Sequence, residues 1–210
     1  MRPSKLIPEA DRARIEQAVR EAEAGTSGEI VVSVVRSCSE HRAAPWRLGA
    51  ALAGLALLGS AYLPIEGTLP ELFGLQVAAV CLAHALCRID PVRRAFVSES
   101  ELQRKVEAAA LSAFAEHGIR ATEGRTGILI FVALLEHRVV VLGDEAVDRA
   151  LDPDESWDEV VALVLEGIRR GEPTEGLIRA IDRCGEILSH PLPVQDGDRD
   201  ELPHGLILSD

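Results

Sequence analysis

Aromatic side chains are scarce in this chain: two Trp, one Tyr and four Phe make up only 3% of its 210 residues. Paired cysteines are missing too. Cys38, Cys81, Cys87 and Cys184 show neither CxxC nor Cys/His ligand spacing. A disulfide framework is therefore not expected, and the thiols fit a reducing compartment. Positive charge is outweighed, with 34 Asp and Glu against 22 Lys and Arg and a net charge of −12. Nucleic-acid partners demand clustered Lys and Arg, so none is expected. Met1–Arg20 is charged and lacks an apolar core, so no secretory signal peptide is expected there. Gly-rich phosphate loops, GxSxG and HExxH are absent. The six histidines are scattered, and no spacing unites Ser, His and Asp into a triad.

Two segments lack charge altogether. Leu48–Leu63 and Leu72–Cys87 contain no Lys, Arg, Asp or Glu, and only Pro64–Glu71 separates them. This pattern predicts a membrane-spanning helical hairpin over residues 46–89; its competitor is a buried hairpin in a soluble core. Each run of 16 residues rises about 24 Å as a helix, against a hydrocarbon core of about 30 Å. Extending the runs takes in Arg47 and Arg88, whose long side chains can snorkel to the headgroups. The scarce aromatics now matter, because Trp46, Tyr62 and Phe73 all fall at run ends, where interfacial aromatics belong.

Charge on the flanks sets an orientation. Arg36, Arg42 and Arg47 precede the first run and Arg88, Arg93 and Arg94 follow the second, while the turn carries Glu66 and Glu71. Positive flanks stay cytoplasmic. The expectation is a two-pass inner-membrane protein with both termini and the globular part in the cytoplasm, its arginines able to touch headgroups locally. Gly49/Ala53, Ala50/Gly54 and Gly59 suit close helix contact in lipid and offer a route to a homo-oligomer. His84, inside the second run, is a functional candidate or a neutral imidazole bonded to Gln76 or nearby backbone.

The remainder reads as one α/β domain, residues 1–37 and 95–190, that the hairpin interrupts. Pro8–Ala24 is a predicted helix stopped by Gly25, and the β-branched Glu29–Arg36 is a strand. Ser98 and Glu101 have capping-box spacing ahead of a helix to about His117. Val106, Ala109, Ala110, Ala113 and Phe114 form its apolar stripe. Thr126–Leu134 is nearly continuous in apolar residues, as in a central strand covered on both faces. A tight turn at Glu136–His137 leads to its antiparallel partner, Arg138–Leu142, and a short helix follows Asp144. Ser156 and Glu159 repeat the capping-box spacing before Trp157–Arg169, and Thr174–Ser189 is the last predicted helix. Residues 191–210, rich in Pro and acids, are expected to be extended or partly disordered. The fold class is a small mixed sheet sandwiched by helices.

Chemistry has one foothold. Asp144, Glu145, Asp148, Asp152, Asp154 and Glu155 cluster beyond a strand end, and Asp144 and Asp148 share a helix face. Converging oxygens suit Ca²⁺ or Mg²⁺; a solvated acidic face accounts for the pattern equally well. Glu29 joins that site or pairs with an arginine. Cys184 reads as a small buried residue.

TSGEIVV (Thr26–Val32), TGILIFVALLEHRVVVLGDEAV (Thr126–Val147), Trp157 and the Gly171…Gly176-Leu177 segment ending in CGEIL (Cys184–Leu188) occur in an order that resembles the TPM domain family, in particular its bacterial membrane proteins. The resemblance implies an α/β/α sandwich. Family roles include acid phosphatase activity, divalent metal binding, photosystem maintenance and modulation of a receptor channel. Phosphatase-like members carry a GYGLE-type segment where this chain has GDEAVD (Gly143–Asp148). The resemblance therefore carries over Glu29, Asp144 and Asp148 as metal ligands. Two functions follow: a membrane-anchored scaffold or assembly and maintenance factor for membrane proteins, with bilayer, membrane or cytoplasmic proteins as partners, or a divalent-metal-dependent phosphatase.

Overall fold

A computed structural model describes residues 2–39, 41–62, 68–122, 124–151, 156–194, 201–202 and 205–210. The chain divides into two compact units, Met1–Cys38 with Arg104–Asp210, and Ser39–Gln103.

The first unit is built on a four-stranded mixed sheet. Its strands are β1 (Glu29–Val35), β2 (Gly127–Ala133), β3 (Arg138–Gly143) and β4 (Leu206–Ser209), in the order β3-β2-β1-β4. β1 runs parallel to β2, with Glu29 opposite Gly127, and parallel to β4. β2 and β3 form the expected antiparallel pair. β2 is buried along its whole length, as its unbroken apolar run requires of a central strand.

Alternation along the strands sends side chains to two cores. Ile30, Val32, Val34, Ile128, Ile130 and Val132 meet α2 (Glu9–Glu23), α8 (Asp158–Arg170) and α9 (Pro173–Ser189) through Ile15, Val19, Val160, Val164, Leu177, Ile181, Cys184 and Leu188. Val31, Leu129 and Phe131 meet Val106, Ala110, Ala113 and Phe114 on the opposite face. Those four lie on α6 (Glu99–Glu116), and a 3₁₀ turn at Ile119–Ala121 completes that side. Helices thus cover both faces of the sheet. α8 and α9 approach through glycine: a Cβ on Gly167 would stand 2.5 Å from the Gly176 Cα.

Three short elements escape the sequence pattern. α1 (Pro3–Leu6) and α5 (Asp90–Ala95) are single turns opened by proline. β4 corrects the expectation of an irregular tail, because Leu206–Ser209 adds to the free edge of β1. Leu206 and Leu208 pack toward one core and Ile207 toward the other, a period of two that the preceding acids conceal. Residues 195–200, 203 and 204 of that tail lie outside the described residues. The Ser156/Glu159 box also takes another form. Ser156 Oγ accepts the Asp158 N–H at 3.3 Å, while Glu159 reaches Arg183 at 2.8 Å.

The second unit contains α3 (Ala43–Tyr62), α4 (Leu69–Leu86), α5 and the start of α6. α3 packs beside α4, where Gly49 faces Val80 and Ala83. Ala44, Leu48, Ala83, Cys87, Val97 and Leu102 form its small core, and Ser98 Oγ accepts the Glu101 N–H at the expected cap of α6. Large apolar side chains elsewhere on both helices face outward: Leu55, Leu57, Leu58, Phe73, Val77 and Leu82 are each about half exposed or more. Among the described residues one helix, Leu69–Leu86, is long and apolar enough to cross a membrane. The sequence pattern called for two. α3 carries Pro45 and Arg47 in its first turns, and the end of its apolar run at Leu63 lies outside the described residues. His84 Nδ1 stands 3.0 Å from the Val80 carbonyl, the backbone alternative of the two partners expected for it.

Candidate functional site

One end of the sheet gathers the expected acids. β1 and β2 begin there and β3 ends there, so Glu29, Gly127 and Asp144 come from neighbouring strand ends. Gly127 is required at the centre, since a Cβ would meet Ile119 Cγ2 and the Ile119 carbonyl at 2.5 Å. Asp144 donates its N–H to the Gly127 carbonyl at 2.9 Å and sits at the N-cap of α7 (Glu145–Ala150). Its Oδ1 accepts the Glu145 N–H at 2.8 Å, satisfying the first free donor of the helix.

The environment of Asp144 is dry and lopsided. The residue is 4% exposed, and among the described residues its Oδ2 has no hydrogen-bond partner. Arg125 Nη1 lies 3.8 Å from Oδ1. Arg125 stands on a tight turn at φ 54°, where its N–H bonds Thr122 O and its carbonyl accepts the Ala146 N–H. Asp148 follows one helical turn after Asp144. Burial, then the charge of Asp144, pushes the Asp148 carboxyl above the ordinary aspartate range. Gly143 leaves room for this pair, because a Cβ there would fall 2.7 Å from Val147 Cγ1 and 3.1 Å from Asp148 Oδ1.

Glu29 stands apart from them. Two strand spacings, roughly 9–10 Å of backbone, separate its position on β1 from β3. Glu29 is buried, and its Oε1 accepts the Glu201 N–H at 3.2 Å. The structure thus brings Asp144 and Asp148 together and places Glu29 across Gly127. Among the described residues no group of three or more His, Cys, Asp or Glu converges on a metal-sized point. Asp152, Asp154 and Glu155 lie outside the described residues. The orphan Asp144 oxygen fits a cation, but two carboxylates beside an arginine fall short of the six to eight oxygens that Ca²⁺ takes.

Two residues of interest give little sign of themselves in the sequence. Arg125 matters through a left-handed turn that no pattern announces. Glu136, fully buried between β2 and β3, accepts Ser37 Oγ–H at 2.9 Å and Cys38 N–H at 3.1 Å. Burial and the Glu136 charge push the Cys38 thiol up to about 12, and burial alone does the same to Cys184. Both thiols are thus poor nucleophiles at neutral pH.

Residues 91–187 match the TPM domain. That stretch of the chain is TPM-like. The matched stretch holds Asp144 and Asp148 and leaves out Glu29 and β4. The fold is similar to that of the BA42 protein of the psychrophilic bacterium Bizionia argentinensis, solved by NMR, with a TM-score of 0.59 over 96% of this chain and 94% of that one. At 20% identity the likeness speaks for the fold alone. No curated protein matches the chain.

Replacing Asp144 with Asn tests the carboxylate pair of this TPM-like stretch. Asn caps a helix as well as Asp, so α7 should persist while the negative charge facing Asp148 goes. The Asp148 carboxyl should then titrate closer to the ordinary range, which carboxyl-carbon NMR reads directly. The sign for stability follows from the upward shift. Asp148 favours the folded state below the ordinary aspartate pKa, and that contribution is lost as pH rises toward its raised folded value. An unshifted Asp148 titration in Asp144→Asn would refute the coupling.

Proposed function

We propose that this chain is a membrane-anchored TPM domain that acts as a scaffold or assembly and maintenance factor for membrane proteins. The α3/α4 pair sits in the inner membrane, with both flanks of the pair cytoplasmic. The observation that supports this reading is the outward display of apolar side chains on both helices, including Leu55, Leu57, Leu58, Phe73 and Leu82. A patch of that extent is costly in water and marks a membrane or protein interface. The arginine flanks supply the orientation. Crosslinking in intact membranes, followed by purification in detergent, should recover the chain joined to integral membrane proteins. Recovery of the chain alone would remove the scaffold role.

A second reading is favoured by the buried, unpartnered Asp144 oxygen. Asp144 and Asp148 would be the core of a divalent-metal phosphatase site, where the cation polarises a phosphoryl oxygen. Phosphate-ester turnover by the purified chain should then fall at least 100-fold with chelator and with Asp144→Ala, on the order of the loss of a stabilising charge. Turnover indifferent to both would dismiss it.

A further inference from the structure

We propose that the end of the α3/α4 pair carrying Arg88 and Arg94 binds the phosphate of an anionic phospholipid headgroup, with those two guanidinium groups as its ligands. The inference rests on the membrane reading above and names the lipid.

The arginines of this unit divide by what they already hold. Arg47 is committed: Nη1 bonds the Phe96 carbonyl at 3.1 Å and Nη2 bonds Glu101 at 2.9 Å. Arg93 is committed to Asp90 at 2.7 Å, within α5. These two hold the chain bend together. Arg88 and Arg94 make no side-chain hydrogen bond or ion pair to any described residue. The Nε atoms of Arg93 and Arg94 are both buried without a partner among the described residues, so it is the outer guanidinium nitrogens of Arg94 that are left to take an acceptor.

Trp46 sets the depth of this end. Its ring meets His84 edge-on, with centroids 5.0 Å apart and planes at 85°. His84 is itself fixed by the Val80 carbonyl, so the indole stays level with the last turn of α4 while remaining 64% exposed. Indoles settle where headgroup meets acyl chain. α4 ends at Leu86, so Arg88 lies just past the helix end, outward of His84 and toward the level of the phosphates. Exposed Ile89 beside it suits the same boundary. A guanidinium fork matches a phosphodiester in shape and charge. A headgroup with net negative charge is preferred to a zwitterionic one, whose choline offsets the phosphate.

The indole is also the reporter. In the full chain carrying Trp157→Phe, Trp46 is the sole tryptophan. Reconstituted into phosphatidylcholine vesicles, it should be quenched far more by a small fraction of brominated phosphatidylglycerol than by brominated phosphatidylcholine. The preference is roughly five-fold for each arginine, about 25-fold for the pair. Arg88→Gln with Arg94→Gln should abolish it; the corresponding double Lys variant should keep most of it. Equal quenching by the two lipids would overturn the headgroup site and leave the anchor standing. Quenching by neither would overturn both. Loss of the preference on adding inorganic phosphate would assign the arginines to a soluble anion and overturn the lipid assignment.

Discussion

Ala78→Arg should release this protein from membranes. Ala78 lies midway along α4 and is exposed, so the new side chain meets no protein and the packing of α4 on α3 is preserved. Any loss therefore reports the surroundings of that exposed face. An arginine at the centre of a spanning helix costs about 2.5–3.5 kcal/mol, a factor of roughly 100 in the insertion equilibrium. The fraction of chain retained in membranes after alkaline carbonate should collapse, whereas Ala78→Leu should be retained like the parent. Retention of Ala78→Arg at the parental level would mean that this face of α4 does not lie in hydrocarbon.

Gly167→Ala should be among the most damaging single methyl additions in residues 91–187. Alanine is normally welcome within a helix, by about 1 kcal/mol over glycine. Here the new Cβ would stand 2.5 Å from the Gly176 Cα and 2.9 Å from the Glu172 carbonyl oxygen. Both are backbone atoms, so no rotamer change relieves the clash and α8 must part from α9. Overpacking costs of about 1–3 kcal/mol are typical where side chains can yield; with backbone on both sides the net loss should be about 2 kcal/mol after the helix gain. The melting temperature should fall by roughly 4–8 °C for a chain of this size. Gly54→Ala is the control, since nothing lies within 4 Å of a Cβ there. Equal melting of the two variants would show that the glycine contact of α8 and α9 is not tight.

How much was legible in the sequence follows from what periodicity can carry. β2 announced itself because seven consecutive buried residues leave no polar face. α9 did so because Leu177, Ile181, Cys184 and Leu188 recur at helical spacing, and all four are buried. β4 was hidden, since four residues after an acidic stretch carry too short a period to stand out, and only pairing with Val32–Val35 makes them a strand. The candidate site was half legible. Asp144 and Asp148 share a helix face by spacing alone, but Arg125 reaches Asp144 through a left-handed turn. Where Glu29 falls depends on strand order, which no local pattern encodes.

Strand order also governs when the sheet can close. β1 is made before α3 and α4, yet its two neighbours are β2, made after α3, α4 and α6, and β4, the last of the four described strands. Both edges of an apolar strand therefore stay open while most of the chain is still being made, and the β1–β4 seam must wait for residues 206–209. Contacts so distant in sequence close slowly. During synthesis the nascent chain carries an unpaired Ile-Val-Val edge, the kind of surface that invites wrong partners or a chaperone. The strand that precedes the α3/α4 pair is thus completed by the one furthest along the sheet's sequence order, and the sheet cannot close until residues 206–209 have left the ribosome.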